Sequence, residues 1–170
     1  MEPFGFYCKS YSLALGNRSC FQGGVALHYL GRRYLTGKFR PMDREVIIPE
    51  EMREIVARAG YAPAVKVGDT IYVVGQVGRT RDLQVIEDPR EQFRAIWENL
   101  RIVLEAADCT FDDVVEMTSY HVEMSKHMNI FRTAKNEVFP KGTYAWTRIG
   151  VSELAHPGLL AEVKCVAVKR

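Results

Sequence analysis

Between Met42 and Arg170 the apolar positions fall into short runs with two different periods. Ala64-Val65-Lys66-Val67 and Thr70-Ile71-Tyr72-Val73-Val74 are rich in β-formers. They flank Gly68-Asp69, a two-residue hairpin signal, and so predict two strands joined by a tight turn. Ahead of them, Val46-Ile47-Ile48-Pro49 reads as a short extended segment, because Pro49 biases Ile48 away from helix. Glu50 to Arg58 is expected to form one or two helical turns. Past Gly75, Gln76 and Gly78 the period changes. Phe93, Ile96, Trp97, Leu100, Val103, Leu104 and Ala107 recur at helical spacing behind Asp88 as N-cap, Pro89 at the first helical position and Glu91 in the first turn. Thr110 and Asp113 resemble a capping box. Val114 to Val122 predicts a strand. Ser125 is expected to cap a second helix that runs to Phe139, with Met128, Phe131, Ala134, Val138 and Phe139 inward and with Pro140 and Gly142 ending it. Tyr144 to Val151 and Leu160 to Val168 predict two last strands around Pro157-Gly158. The order β-β-α-β-α-β-β implies an α+β fold, two helices over one face of a mixed sheet.

Charge divides the chain where the pattern begins. Residues 1–41 hold six basic side chains (Lys9, Arg18, Arg32, Arg33, Lys38, Arg40) against one acid, Glu2, a balance of +5. Residues 42–170 carry 17 basic and 20 acidic side chains, −3, which recovers the overall +2. The first segment lacks strong periodicity. Four readings of it stay open: an organelle transit peptide, a basic arm for nucleic acid, a family-specific arm docked through His28, Tyr29, Leu30, Tyr34 and Leu35, or upstream sequence before a true start at Met42. The domain is therefore expected to span 42–170.

Other bulk features narrow the class. No apolar run is long enough to span a membrane. Cys8, Cys20, Cys109 and Cys165 are far apart and form no Cys-x-x-Cys pair, which argues against zinc and a disulfide framework and for a reducing, cytoplasmic setting. There is no glycine-rich phosphate loop, no catalytic triad and no metal-ligand cluster, so neither metal nor cofactor is expected. His121 and His127 lack an acid-and-nucleophile context and read as structural.

The order and spacing of several motifs resemble the Rid family of reactive-intermediate (enamine/imine) deaminases, also called the YjgF or L-PSP endoribonuclease family. The residues that carry the resemblance are Gly60-Tyr61-Ala62-Pro63-Ala64-Val65, Val67-Gly68-Asp69, Tyr72-Val73-Val74-Gly75-Gln76, Asn99-Leu100, Val103-Leu104-Glu105-Ala106-Ala107, Asp112-Asp113-Val114-Val115 and the run from Gly142 to Val168. Gly75-Gln76-Val77-Gly78, Cys109-Thr110-Phe111-Asp112-Asp113, Lys135-Asn136-Glu137 and Trp146-Thr147 point to a YjgH-like subgroup. The resemblance implies a chorismate-mutase-like homotrimer with ligand clefts between subunits. It also implies an arginine that clamps a substrate carboxylate, a planar fork on a planar acid, while a water attacks the imine carbon near a glutamate. Carried over position by position, that arginine falls on Trp146, the glutamate on Lys164, an asparagine-like position on Arg132, and a Ser-Gln pair on Ala62-Pro63. Tyr61 alone survives.

Trp146 and Arg148 sit at i and i+2 of a strand, on one face and about 7 Å apart. Arg148 is thus a candidate replacement clamp with Trp146 as a stacking wall, and Arg132 is the reserve. The candidate binding residues are Tyr61, Trp146, Arg148, Arg132 and Lys164, with no catalytic residue assigned. Each has a bland reading as well: interface filler, core, surface charge or ion pair. Three function classes follow. They are a Rid-type hydrolase of altered substrate, a non-catalytic trimer that binds a small carboxylate, and a ribonuclease. A domain of net −3 with no interleaved aromatic and basic stripe disfavours nucleic acid.

Overall fold

The computed structural model describes residues 43–139, 142 and 144–170. The expectations for residues 1–41 and for Pro140 lie outside them. The element order is β1 (Arg44–Ile47), α1 (Arg53–Ala59), β2 (Ala64–Val67), β3 (Thr70–Val77), α2 (Pro89–Ala106), β4 (Val114–His121), α3 (Met124–Val138), β5 (Ala145–Gly150) and β6 (Ala161–Val168). The six strands form one sheet in the order β1-β2-β3-β6-β4-β5. All neighbours are antiparallel except β4 and β5, which run parallel. No helix among the described residues is long and apolar enough to cross a membrane.

The local signals explain most of these elements. Gly68 takes φ +59° in the β2–β3 turn, a region glycine enters without steric cost. Asp88 caps α2 by accepting from the Glu91 backbone N–H at 3.0 Å, and Pro89 fills the first helical position. Phe93, Ile96, Trp97, Leu100, Val103 and Leu104 are all buried, so the helical stripe is the core face. It packs on Ile71, Val73, Met117, Val163, Cys165 and Ala167 from one side of the sheet. Thr110 and Asp113 form the expected capping box, here on a 3-10 turn.

Three details differ from expectation. The extended segment at 44–47 joins the sheet as edge strand β1, one more strand than the expected order. Ser125 does not cap α3. The chain turns through Glu123 in the left-handed region (φ 46°), and the helix starts at Met124 with no side-chain cap. The buried stripe of α3 is His127, Phe131, Ala134 and Lys135, whereas Val138 is exposed. Lys135 takes the inward place because Tyr144 meets it: its Nζ donates to the phenol oxygen at 3.3 Å.

One polar side chain braces the layers. Gln92 on α2 is fully buried. Its Nε2 donates to the carbonyls of Ile86 (2.7 Å) and Gly158 (3.0 Å), and its Oε1 accepts from the Leu160 N–H (2.7 Å). A single amide thereby satisfies three backbone groups from two loops.

Candidate functional site

Parallel pairing of β4 with β5 sets Met117 opposite Trp146 and Ser119 opposite Arg148. These side chains lie on the helix side of the sheet, at its β5 edge. The half-buried Trp146 ring lies 6.3 Å from the Phe131 ring and 6.2 Å from the Tyr144 ring. Its indole Nε1–H donates to Ser119 Oγ at 2.9 Å. Ser119 Oγ in turn lies 2.8 Å from His121 Nε2. The guanidinium carbon of exposed Arg148 stands 5.0 Å from the centre of the Trp146 ring, a cation–π arrangement. Among the described residues no carboxylate lies within ion-pair distance of Arg148. The geometry leaves a guanidinium fork oriented by an aromatic face and free to accept an anion.

His121 is 3% exposed. Burial, and then the nearby Arg148 charge, push its imidazole down to about 4. It is neutral in the fold near neutrality, whereas the unfolded chain takes up a proton near pH 6.5. Its contribution is therefore complete above pH 6.5 and is lost as pH falls toward 4, by at most about 3 kcal/mol. Melting curves at pH 7 and pH 4.5 are expected to show a smaller acid-induced drop for His121→Gln than for the native chain.

The opposite face of the sheet carries a second group. β6 pairs with β4 so that Glu162 lies opposite Tyr120 and Lys164 opposite Thr118. With Tyr72, Val74, Gly75 and Leu154, residues Tyr120, Glu162 and Lys164 line an open concavity of about 880 Å³. Glu162 is half-buried, and burial raises its carboxyl above the ordinary range. It forms no ion pair with Lys164. Its carboxyl folds over Gly75, where a Cβ would overlap it. Sequence reasoning passed over Glu162. Its carboxyl is desolvated by a distant segment, since the register sets Val77 opposite Glu162 and brings Gly75 beneath the carboxyl, and that leaves no local signal in the sequence.

The candidate residues therefore divide. Trp146 and Arg148 stand together on the helix side. Lys164 lies on the opposite face, two residues from Glu162. Tyr61 is half exposed at the other end of the sheet, before β2. It borders a small cavity of about 100 Å³ with Met52, Ile55, Asn99 and Ile102, and that cavity meets the concavity at Gly75. Arg132 is exposed on α3 beside Lys135, whose ammonium burial and Arg132 together hold below its usual range. Tyr61 and Trp146 lie toward opposite edges of the sheet. Cys165 is buried and its thiol is pushed up to about 12, mainly by burial, and buried Cys109 is also raised, so both are packing residues.

Residues 51–169 match the family described as Endoribonuclease L-PSP. The chain belongs to the Rid/YjgF/L-PSP family. Within this family it is similar to the RutC family protein YjgH of Escherichia coli K12, with 35% identity over 127 residues, 74% of this chain and 95% of that protein. The solved structure of YjgH superposes with a TM-score of 0.69, covering 74% of this chain and 96% of that one. A more distant Rid/YjgF/L-PSP relative is a 2-iminobutanoate/2-iminopropanoate deaminase of Dermatophagoides farinae. It is 28% identical over 96 residues, 55% of this chain and 74% of that protein.

Proposed function

We propose that this protein binds a small carboxylate-bearing metabolite in clefts between the subunits of a homotrimer and hydrolyses an imine there. The observation that carries the reading is the exposed Arg148 guanidinium over the Trp146 ring, with no ion-pair partner among the described residues. A carboxylate is its natural partner, because the planar fork donates two parallel hydrogen bonds to it. Arg148 and Glu162 lie on opposite faces of one sheet, so a cleft that uses both takes Arg148 from one subunit and Glu162 from its neighbour. Tyr61 and Lys164 join the cleft from the Glu162 side, and Arg132 stays outside it.

The chemistry follows from those groups. Arg148 holds the carboxylate and Trp146 packs on the substrate's flat face. Glu162, whose carboxyl burial raises above its ordinary range, acts as the carboxylate that takes a proton from a water and passes it to the imine nitrogen. Water adds to the imine carbon, the carbon–nitrogen bond breaks, and ammonia leaves with a 2-oxo acid as the other product. Lys164 favours anionic substrates by its charge.

The test is turnover of imines generated in situ from amino acids by an amino-acid oxidase, read as ammonia released above the spontaneous rate. Acceleration by the native chain, with loss of at least ~100-fold in Glu162→Gln, is the expected result. Carboxylate binding without acceleration would leave a binding trimer and end the hydrolase reading.

The same reading places the folded unit at residues 42–170, in the cytosol. A chain starting at Met42 is expected to keep its melting temperature within a few degrees. Insoluble product would show that residues 1–41 belong to the core.

A further inference from the structure

We infer that Ser119 and His121 are positioning residues that hold Trp146, and through it the Arg148 guanidinium, in the orientation that receives a carboxylate. This inference rests on the reading of Arg148 as the carboxylate clamp. Nothing in the motif pattern at β4 announces it.

The hydrogen-bond directions are fixed by valence. The indole Nε1–H can only donate, so Ser119 Oγ accepts it. Ser119 is fully buried. Its own O–H then needs an acceptor, and His121 Nε2 at 2.8 Å is the atom in place. An acceptor at Nε2 puts the imidazole proton on Nδ1. If Nε2 instead carried the proton, Ser119 would accept twice and its hydroxyl hydrogen would face a buried site with no acceptor among the described residues. The relay therefore runs one way, from Trp146 through Ser119 to His121.

His121 keeps this role across the ordinary pH range. The burial and the Arg148 charge that disfavour its cationic form also preserve Nε2 as an acceptor. The ring is held in turn by edge-on packing with Phe131 at 4.6 Å. The stack of Arg148 on Trp146 is the outer end of the same chain of contacts. Guanidinium side chains are costly to immobilise, and a fixed aromatic face lowers the entropy lost when the ligand arrives. Ser119 and His121 thus act on affinity without touching ligand.

The described chain holds two tryptophans, which makes a direct readout available. Among the described residues Trp97 Nε1 has no hydrogen-bond partner, whereas Trp146 Nε1 has Ser119. Their indole N–H signals in a proton–nitrogen correlation spectrum are separable, with Trp146→Phe as the assignment control. Ser119→Ala and His121→Leu are expected to move the Trp146 signal and leave that of Trp97 in place. Both are expected to weaken pyruvate binding roughly fivefold or more, by an increase in Kd. Ser119→Thr and His121→Gln, which keep the hydroxyl and an acceptor, restore most of the signal position and most of the affinity.

Three results overturn the inference, and they are distinguishable. An unmoved Trp146 signal in Ser119→Ala removes the relay itself. A moved signal with unchanged pyruvate affinity, while Arg148→Ala still weakens it, leaves the clamp standing and removes the positioning role. Equal pyruvate affinity in the native chain and in Arg148→Ala removes the clamp reading, and the positioning role with it. Should His121→Leu fail to fold, Ser119→Ala, a small excision, decides alone.

Discussion

Arg148→Ala is expected to weaken binding of a small carboxylate such as pyruvate roughly 10- to 100-fold, because a shielded charge-assisted pair contributes on the order of 1.5–3 kcal/mol. The folded chain should lose little. Arg148 is exposed and has no ion-pair partner among the described residues, so its removal strands no buried charge. The expected signature is a large change in Kd with a small change in melting temperature. The opposite combination would identify Arg148 as a structural contact. The placement of Arg148 and Glu162 on opposite sheet faces sharpens the test. Arg148→Ala and Glu162→Gln chains are each expected to be strongly impaired alone at low substrate. Trimers assembled from an equal mixture of the two should recover activity in roughly a quarter of their clefts, since a cyclic assembly pairs each face with its neighbour's. Absence of any recovery would place the two residues in separate sites.

The second large effect is on stability. Gln92→Ala is expected to cost about 3–5 kcal/mol, because it leaves the carbonyls of Ile86 and Gly158 and the N–H of Leu160 without partners and opens a void beneath them. That is a large part of the 5–15 kcal/mol typical of a whole domain, and the midpoint should fall by roughly 10–20 °C. Gln92→Glu should be no rescue. A carboxylate can accept from Leu160 but cannot donate to the two carbonyls, and when ionised it is repelled by both. Its penalty should therefore grow as pH rises. If calorimetry finds Gln92→Ala within 1 kcal/mol of the native chain, the two loops hold themselves without the brace.

What the sequence disclosed follows from the range of each interaction. α2 was legible in full because its cap, its first-turn proline and its apolar stripe all lie within 20 residues and agree. The β2–β3 hairpin and the two final strands were legible for the same reason. The start of α3 was misjudged because Ser125 is a good cap by composition, while a left-handed Glu123 decides the turn. Edge strand β1 has one buried residue, Ile47, and so leaves almost no alternation to read. At the site, alternation correctly put Trp146 and Arg148 on one face. It could not pair them with Ser119 and His121, since that depends on which strand lies beside β5. Glu162 was invisible for a related reason. Its altered carboxyl comes from burial beside Gly75, 87 positions away in the chain.

The place of β6 bears on how the molecule is made. It lies between β3 and β4, bonded to both, yet it is synthesised after the other five strands. Until residue 168 leaves the ribosome, β1-β2-β3 and β4-β5 are separate pieces. Each shows an unpaired inner edge bearing Ile71 and Val73, or Val114 and Met117. Such edges invite pairing with other chains. The contacts that seal them span most of the domain, which slows the closing step. A pause after β5 has emerged and before β6 has would hold the chain in its stickiest form, so the arrival of this one eight-residue strand ends the exposure of both edges.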